Sequence, residues 1–252
     1  MHVVSPLPTL NGAGAQLLAG WAVGGIDLTM PDDVGFELPK KGTQINIQWH
    51  FYNSTETQQT DQSSVQICTR PAAERQHSAS ITWVGTEDLG GNIWTFGAGM
   101  PAHKPSTFRG TCVPSRTGMA AQEPVHIIGF WPHMHQLGTG MEAWVKHPDG
   151  TKEKIFDKPF DFNRQIHYMQ NYDLQPGDAL QAVCHYNNTT DYGIPFGESS
   201  NSEMCYLFTM SWPSHALENG VPSLIGATNT CWCGDGPAAI LGAGNPLCTD
   251  TD

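Results

Sequence analysis

Short strand-like runs, each closed by a Gly- or Pro-bearing turn, recur along this chain, and no helical period is sustained anywhere in it. Residues 43–51, T-Q-I-N-I-Q-W-H-F, alternate apolar and polar and predict a strand. Residues 63–69, S-S-V-Q-I-C-T, alternate in the same way and predict a second. The polar stretch from Tyr52 to Gln62 predicts the hairpin loop between them, and Arg70-Pro71 closes the unit. Further strands are predicted over Ser80–Val84, Val125–Phe130, Met141–Lys146, Ala179–Tyr186 and Met204–Trp212. Turn signals at His147-Pro-Asp-Gly150, Gln175-Pro-Gly-Asp178 and Gly193 with Pro195 separate them. This spacing is that of an antiparallel sandwich or jelly roll. The 27 glycines and 18 prolines, about 18% of the chain, argue against a helical bundle. The tail from Gly220 to Asp252, rich in Gly, Pro and small residues, predicts an irregular segment held by cysteines.

Length and turn pattern together place a domain boundary near Pro71. Residues 72–252 suffice for a full sandwich of ~150 residues plus a tail. Residues 1–71 are short for a domain with its own core. A half-sandwich would leave unpaired strand edges, which an upstream segment, a partner chain or self-association would have to cover.

Charge excludes several function classes. Twelve Lys and Arg against 24 Asp and Glu give a net charge of −12, and no basic patch or arm stands out, so nucleic-acid binding is not expected. No apolar run approaches the ~18 residues needed to span a bilayer. Only 14% of residues are charged and 24 are aromatic, which argues against disorder.

The seven cysteines, Cys68, Cys112, Cys184, Cys205, Cys231, Cys233 and Cys248, form no C-x-x-C pairs. Their dispersion is that of a disulfide-bonded exported protein, secreted, extracellular or periplasmic, rather than of a zinc ribbon. An odd count leaves at least one thiol without a partner in the chain. The N-terminus has neither a basic nor an apolar signal region, and sequons at Asn53, Asn187 and Asn188 add little.

The densest chemical signal is Trp131-Pro-His133-Met-His135-Gln-Leu-Gly138, directly after the apolar run Val125–Phe130. Positions i and i+2 of a strand face one side, so His133 and His135 offer two imidazoles to one point. Taken alone, an H-x-H pair is more often two unrelated histidines. A second signal is Glu203-Met204-Cys205-Tyr206: by itself Met204 reads as a core residue, but a thioether beside imidazoles selects copper, above all Cu(I). Cys184-His185 and Gln48-Trp49-His50 are weaker features, and His50 alone reads as a hydrogen-bonded strand histidine. His77, His103, His147, His167 and His215 lie in polar contexts and are expected to be solvated; His185 has a minor claim to a site role. A zinc hydrolase built on His133 and His135 lacks a strong carboxylate partner nearby.

In order, these segments resemble the copper type II, ascorbate-dependent monooxygenases, the family of peptidylglycine hydroxylating monooxygenase and dopamine β-monooxygenase. The resemblance runs from about Gly20 to Trp212. Gln48-Trp-His50-Phe-Tyr-Asn53, followed by Asp61-Gln-Ser-Ser-Val65, is similar to the family's Q/E-V-H-Y segment and later D-x-S-S-G. His133 and His135 match its His-x-His pair, His126 its strand histidine seven residues earlier, and Glu203-Met204-Cys205 its E-M-C.

The resemblance implies an all-β chain of two antiparallel jelly-roll-like β-sandwich domains, the first only partly present. It implies two coppers per complete enzyme, with one well matched here. A catalytic copper on His133, His135 and Met204 would bind O2 and lead to hydrogen abstraction from a small-molecule substrate. A second, three-histidine copper would store electrons supplied by ascorbate. Of its ligands His50 is present; His2 is a candidate for the adjacent His-His pair, or that pair lies before Met1. The resemblance also implies the disulfide Cys184–Cys205 and a pairing of Cys112 with Cys231 or Cys233, with Cys248 taking the one that remains and Cys68 left over.

Two departures bear on substrate. The peptide-amidating members carry an Arg two residues before the first His of the pair and a Tyr four residues after the Met ligand. Here those positions are Trp131 and Phe208. A less polar or aromatic substrate is therefore expected rather than peptidylglycine. Three readings follow: a copper- and O2-dependent aliphatic hydroxylase, a copper-binding or assembly protein that lacks turnover because its second site is incomplete, and a subunit completed by another chain.

Overall fold

The computed structural model describes residues 2–6, 15–38, 45–49, 51, 53, 55–90, 99–116, 119–120, 123–218 and 230–231. In chain order its strands are β1 (His2–Pro6), β2 (Ala15–Gly20), β3 (Val34–Phe36), β4 (Asn46–Gln48), β5 (His77–Thr86), β6 (Lys104–Cys112), β7 (Ser115–Arg116) and β8 (Met119–Ala120). They continue as β9 (Val125–His133), β10 (Gly138–Lys146), β11 (Lys152–Pro159), β12 (Tyr168–Leu174), β13 (Ala179–Asn188), β14 (Cys205–Trp212) and β15 (Thr230–Cys231). One 3-10 turn, Ala72–Glu74, is the sole helical element among the described residues. No helix there is long and apolar enough to cross a membrane.

Two sheets form the sandwich. One runs β12-β9-β14-β5-β15, with β3 added parallel to the start of β5; the other runs β11-β10-β13-β6. Between them lies a core that includes Val84, Phe130, Met134, Met141, Val145, Leu180 and Leu207. The disulfides Cys184–Cys205 and Cys112–Cys231 each tie one sheet to the other, from β13 to β14 and from β6 to β15. Cys231 is thus the partner of Cys112. Cys68 is free and exposed, and Cys233, Cys248 and most of the tail predicted to be irregular lie outside the described residues.

The central strands of the larger sheet, β5, β9 and β14, are buried on both faces. The sheet's second face carries another cluster, Ile81, Trp83, Ile128, Trp131, Met204, Tyr206, Phe208 and Met210, packed against Leu17, Leu28, Met30 and Phe36 from the first part of the chain. Double burial explains why β9 reads as a continuous apolar run rather than an alternation. β10 of the outer sheet has one wet face and alternates. The predicted turns form where expected: Gly150 N donates to His147 O at 3.0 Å and Asp178 N to Gln175 O at 3.0 Å, with Gly150 and Gly177 at positive φ.

Two local expectations fail. The alternating segment 63–69 is irregular, because its backbone pairs with no strand among the described residues and Asp61 instead folds back on Ser63, accepting both its N–H and its hydroxyl. Among the described residues of the predicted strand 43–51, Asn46–Gln48 is regular, and there β1, β2 and β4 form a separate three-stranded sheet.

Candidate metal centre

Register across the larger sheet builds the site in rows. β14 sets Tyr206 opposite His133 and Phe208 opposite Trp131, and β5 sets Gly85 opposite Tyr206 and Trp83 opposite Phe208. At the other edge β12 pairs Tyr168 with Phe130, and continuing that register sets His167 opposite Trp131 and Gln165 opposite His133. Directly opposed residues of antiparallel strands share a face. One row therefore reads Trp83, Phe208, Trp131, His167, and the next reads Gly85, Tyr206, His133, Gln165. Met204 and His135 lie just beyond the last pair of the β9–β14 register at this end, Tyr206 with His133.

The two imidazoles project to the same side with ring centroids 5.4 Å apart and planes at 87°. Both are nearly buried, as is Met204. Their tautomers follow from their acceptors. His135 Nδ1 lies 2.8 Å from the carbonyl oxygen of Ser202, which can only accept, so Nδ1 carries the proton. His133 Nδ1 lies 2.9 Å from Gln165 Oε1, and Gln165 Nε2 donates to Phe162 O at 3.1 Å, which fixes that amide's orientation. In the neutral ring each histidine then carries its lone pair on Nε2, the arrangement that metal-ligating histidines adopt.

A second layer of contacts fixes the strand ends. The Glu203 carboxylate accepts the backbone N–H of His135 at 2.8 Å and of Leu137 at 2.7 Å, clamping the turn after β9 to the residue before Met204. Burial pushes Glu203 up to about pH 7, against these backbone N–H groups, which favour its charged form. Tyr186 donates its hydroxyl to Met204 O at 2.6 Å, and the Cys184–Cys205 disulfide holds the neighbouring residue. On the opposite side the first part of the chain closes over the sheet. Gly20 of β2 lies against the Trp131 ring, where a Cβ would sit 2.0 Å from Cζ3, so only glycine fits. Gln165 N donates to Val23 O at 3.0 Å.

His50 lies outside the described residues. His2 is placed by its backbone alone, opposite Gln48 in the β1–β4 pair. His126, matched by the resemblance, is not beside the pair: it stacks on Trp212 at 3.6 Å and pairs with Asp173, while His77 stacks on the other face of Trp212 at 3.8 Å. His185 sits on the outer sheet, 3.4 Å from Glu142. Of the histidines expected to be solvated, His103 is exposed beside Asp191, but His147 is held by the buried Asp178. His167 is buried outright, and burial lowers its pKa to about 4. Sequence reasoning missed Gln165 and His167, because only the β9–β12 register brings them to the site.

No group of three or more His, Cys, Asp or Glu side chains among the described residues is arranged to hold a metal. Two histidines and a thioether supply only two such donors, so this set is of a different kind. Imidazole nitrogens with a soft sulfur in a nearly buried setting fit copper and leave room for a further ligand.

The family model for the copper type II ascorbate-dependent monooxygenase C-terminal domain matches residues 88–224, more than half of the chain. The chain belongs to the copper type II ascorbate-dependent monooxygenase family. The matched part of the chain contains His133, His135, Met204, Gln165 and His167. The chain is 26% identical over 228 residues to the putative DBH-like monooxygenase protein 2 of Homo sapiens, covering 84% of this chain and 43% of that one. It is 27% identical over 234 residues to the DBH-like monooxygenase protein 2 of Mus musculus (85% and 36%). It is also 27% identical over 213 residues to the DBH-like monooxygenase protein 1 of Gallus gallus (78% and 33%). The chain spans less than half the length of these curated relatives.

Proposed function

We propose that this chain is a copper- and O2-dependent monooxygenase that hydroxylates an aliphatic C–H bond of a small substrate other than peptidylglycine, with an ascorbate-type reductant. The observation that carries the reading is the pair of Nδ1-protonated histidines, His133 and His135, with Met204 next in sequence to Glu203, whose carboxylate accepts the His135 N–H. These three residues would hold the catalytic copper. When bound, that copper supplies the one-electron chemistry with O2 that hydroxylates a C–H bond.

The chain's own part is positional. Gln165 and the Ser202 carbonyl orient the two imidazoles, Glu203 ties the His135 backbone to the Met204 strand, and Tyr186 holds the Met204 backbone. Trp131 and Phe208, with ring centroids 4.9 Å apart, line the face beside His133 and make it apolar. That lining favours an aromatic or weakly polar substrate over a carboxylate.

His50 and His2 belong to the proposed electron-storing site, a reading supported by the pairing of His2 with Gln48, two residues before His50 in sequence. The exposed Ile47, Trp49 and Phe51 support a covering segment or partner chain on this part. The two disulfides support an exported protein.

The test is an assay with copper, O2, ascorbate and a small alkylarene such as ethylbenzene, following alcohol product and oxygen uptake. The wild type turns over and His133→Ala abolishes product. Efficient hydroxylation of glycine-extended peptides would overturn the substrate reading. Bound copper without product on any substrate would instead be the behaviour of a copper-binding protein that lacks turnover.

A further inference from the structure

Two sequons overlap at the end of β13, Asn187-Asn188-Thr189 and Asn188-Thr189-Thr190, and the fold sets their asparagines on opposite sides of the chain. Successive strand residues point to opposite faces. Tyr186 and Asn188 turn inward and are buried, while Asn187 between them is exposed.

Asn188 is committed to the fold. It is 1% exposed. Its Nδ2 donates to Met100 O at 3.1 Å, Pro101 O at 3.0 Å and Tyr192 O at 3.1 Å. Its Oδ1 accepts the backbone N–H of Thr190 at 2.9 Å and the Thr190 hydroxyl at 2.8 Å. One amide thus staples the end of β13 to the segment before β6 and to the turn at Tyr192. An amide nitrogen has two hydrogens to give, and both are used here. An N-linked sugar replaces one of them with a bulky hydrated group. At Asn188 that group would break the staple and have no route to solvent, whether attached before folding or after it.

Asn187 meets the opposite conditions. Its backbone N–H donates to Leu137 O at 3.0 Å, and its side-chain amide makes no hydrogen bond among the described residues. Thr189, the third residue of its sequon, is exposed as well. Its cross-strand partner is Pro105 near the start of β6, an edge strand of the outer sheet, so no further strand of that sheet meets a bulky group there. A sugar on Asn187 leaves the Asn188 bonds intact.

We propose that Asn187 is an N-linked glycan acceptor of the exported chain and that Asn188, whose sequon overlaps it, is not. The proposal rests on the reading of the protein as exported, which the two disulfides support. The third sequon, at Asn53, lies beside the exposed face for which a covering segment or partner chain is proposed. Asn53→Gln removes it from the test.

The Asn53→Gln protein is produced in cultured eukaryotic cells behind an added secretion signal and recovered from the medium. Peptide-N-glycosidase releases the sugar and converts the asparagine that bore it to aspartate, which tandem mass spectrometry locates. The expected result is one band shift on treatment, with the conversion at Asn187 and none at Asn188. Thr189→Val separates the two sequons, because it destroys that of Asn187 and leaves that of Asn188, which needs Thr190. It should abolish the shift, as should Asn187→Gln. Thr189→Ser preserves both sequons and should retain it. All three changes fall on exposed side chains, so the secreted yield should stay within about twofold of the parent.

A secreted protein without the shift, conversion at Asn188, or a shift that survives Thr189→Val would each overturn the proposal. Glycan at Asn187 behind the added signal, with the natural full-length protein retained in the cytosol, would uphold the acceptor and remove the export reading alone. A natural protein found outside the cell with a bare Asn187 would do the reverse.

Discussion

Tyr186 donates its phenolic hydrogen to the carbonyl oxygen of Met204 across 2.6 Å, from the opposite sheet of the sandwich. Both groups are buried, so neither has water as an alternative partner. This bond and the Cys184–Cys205 disulfide hold the chain at the point where it enters β14. Tyr186→Phe leaves the Met204 carbonyl without its donor and should cost about 1–3 kcal/mol of stability in urea unfolding. An unchanged urea midpoint would show that the bond does not anchor Met204.

Glu203 presents the converse case, a buried acceptor serving two backbone donors, His135 and Leu137. Glu203→Ala strands both N–H groups and should cost about 2–5 kcal/mol. Glu203→Gln keeps one acceptor oxygen and should cost less. The order of the two midpoints in denaturant unfolding checks the assignment.

Gln165 fixes the tautomer of His133. Gln165→Leu removes that acceptor without touching a proposed ligand. Loss of such an orienting partner typically weakens metal affinity about 10–100-fold. Competition with a Cu(I) chelator measures the shift, and His135→Ala supplies the reference for losing a ligand outright.

His167 makes the acid side of the stability profile steep. Its folded pKa lies near 4 against an ordinary value of 6.5, so between those values the unfolded chain binds more protons than the folded one. Stability therefore falls as pH drops from 6.5 towards 4, with a limit on the order of 3 kcal/mol for this group. Glu203 acts with the opposite sign: its folded pKa is raised from 4.5 to about 7, so its contribution is present at low pH and fades as pH rises to 7. Subtracting the profile of His167→Phe from that of the wild type isolates the first effect. The difference should be flat above pH 7 and grow below 6.5.

The two disulfides should differ in worth. Their ends are 21 and 119 residues apart in sequence. Loop-closure entropy then assigns about 3 kcal/mol to Cys184–Cys205 and about 5 kcal/mol to Cys112–Cys231. Paired Cys→Ala variants compared by calorimetry give the order.

What was legible in the sequence follows from which faces are wet. Val125–Phe130 and Met204–Trp212 announce themselves because their strands are buried on both sides and every residue is under the same pressure. β6, β11 and β12 carry no such signal. Lys104–Cys112, Lys152–Pro159 and Tyr168–Leu174 are edge strands of their sheets, and the polar residues on their wet sides blur the pattern. The segment 63–69 shows the reverse, an alternation that finds no strand to pair with among the described residues.

The site divides in the same way. The His-x-His spacing is local, so His133 and His135 could be read directly. Gln165 is 32 residues from His133 and meets it only through the β9–β12 register. His167 has polar neighbours in sequence and buried ones in space, which is why its context suggested a solvated residue. Resemblance supplied Met204, since nothing in its spacing shows that it faces the histidines.

In the proposed centre one copper is held by two imidazoles and a thioether from His133, His135 and Met204. Copper K-edge X-ray absorption on the Cu(I)-loaded protein tests it most directly. The expected spectrum shows nitrogen scattering together with a sulfur shell from that copper, with the sulfur shell lost in Met204→Ile and binding lost in His133→Ala. A spectrum without sulfur, or a sulfur shell that persists in Met204→Ile, would contradict it.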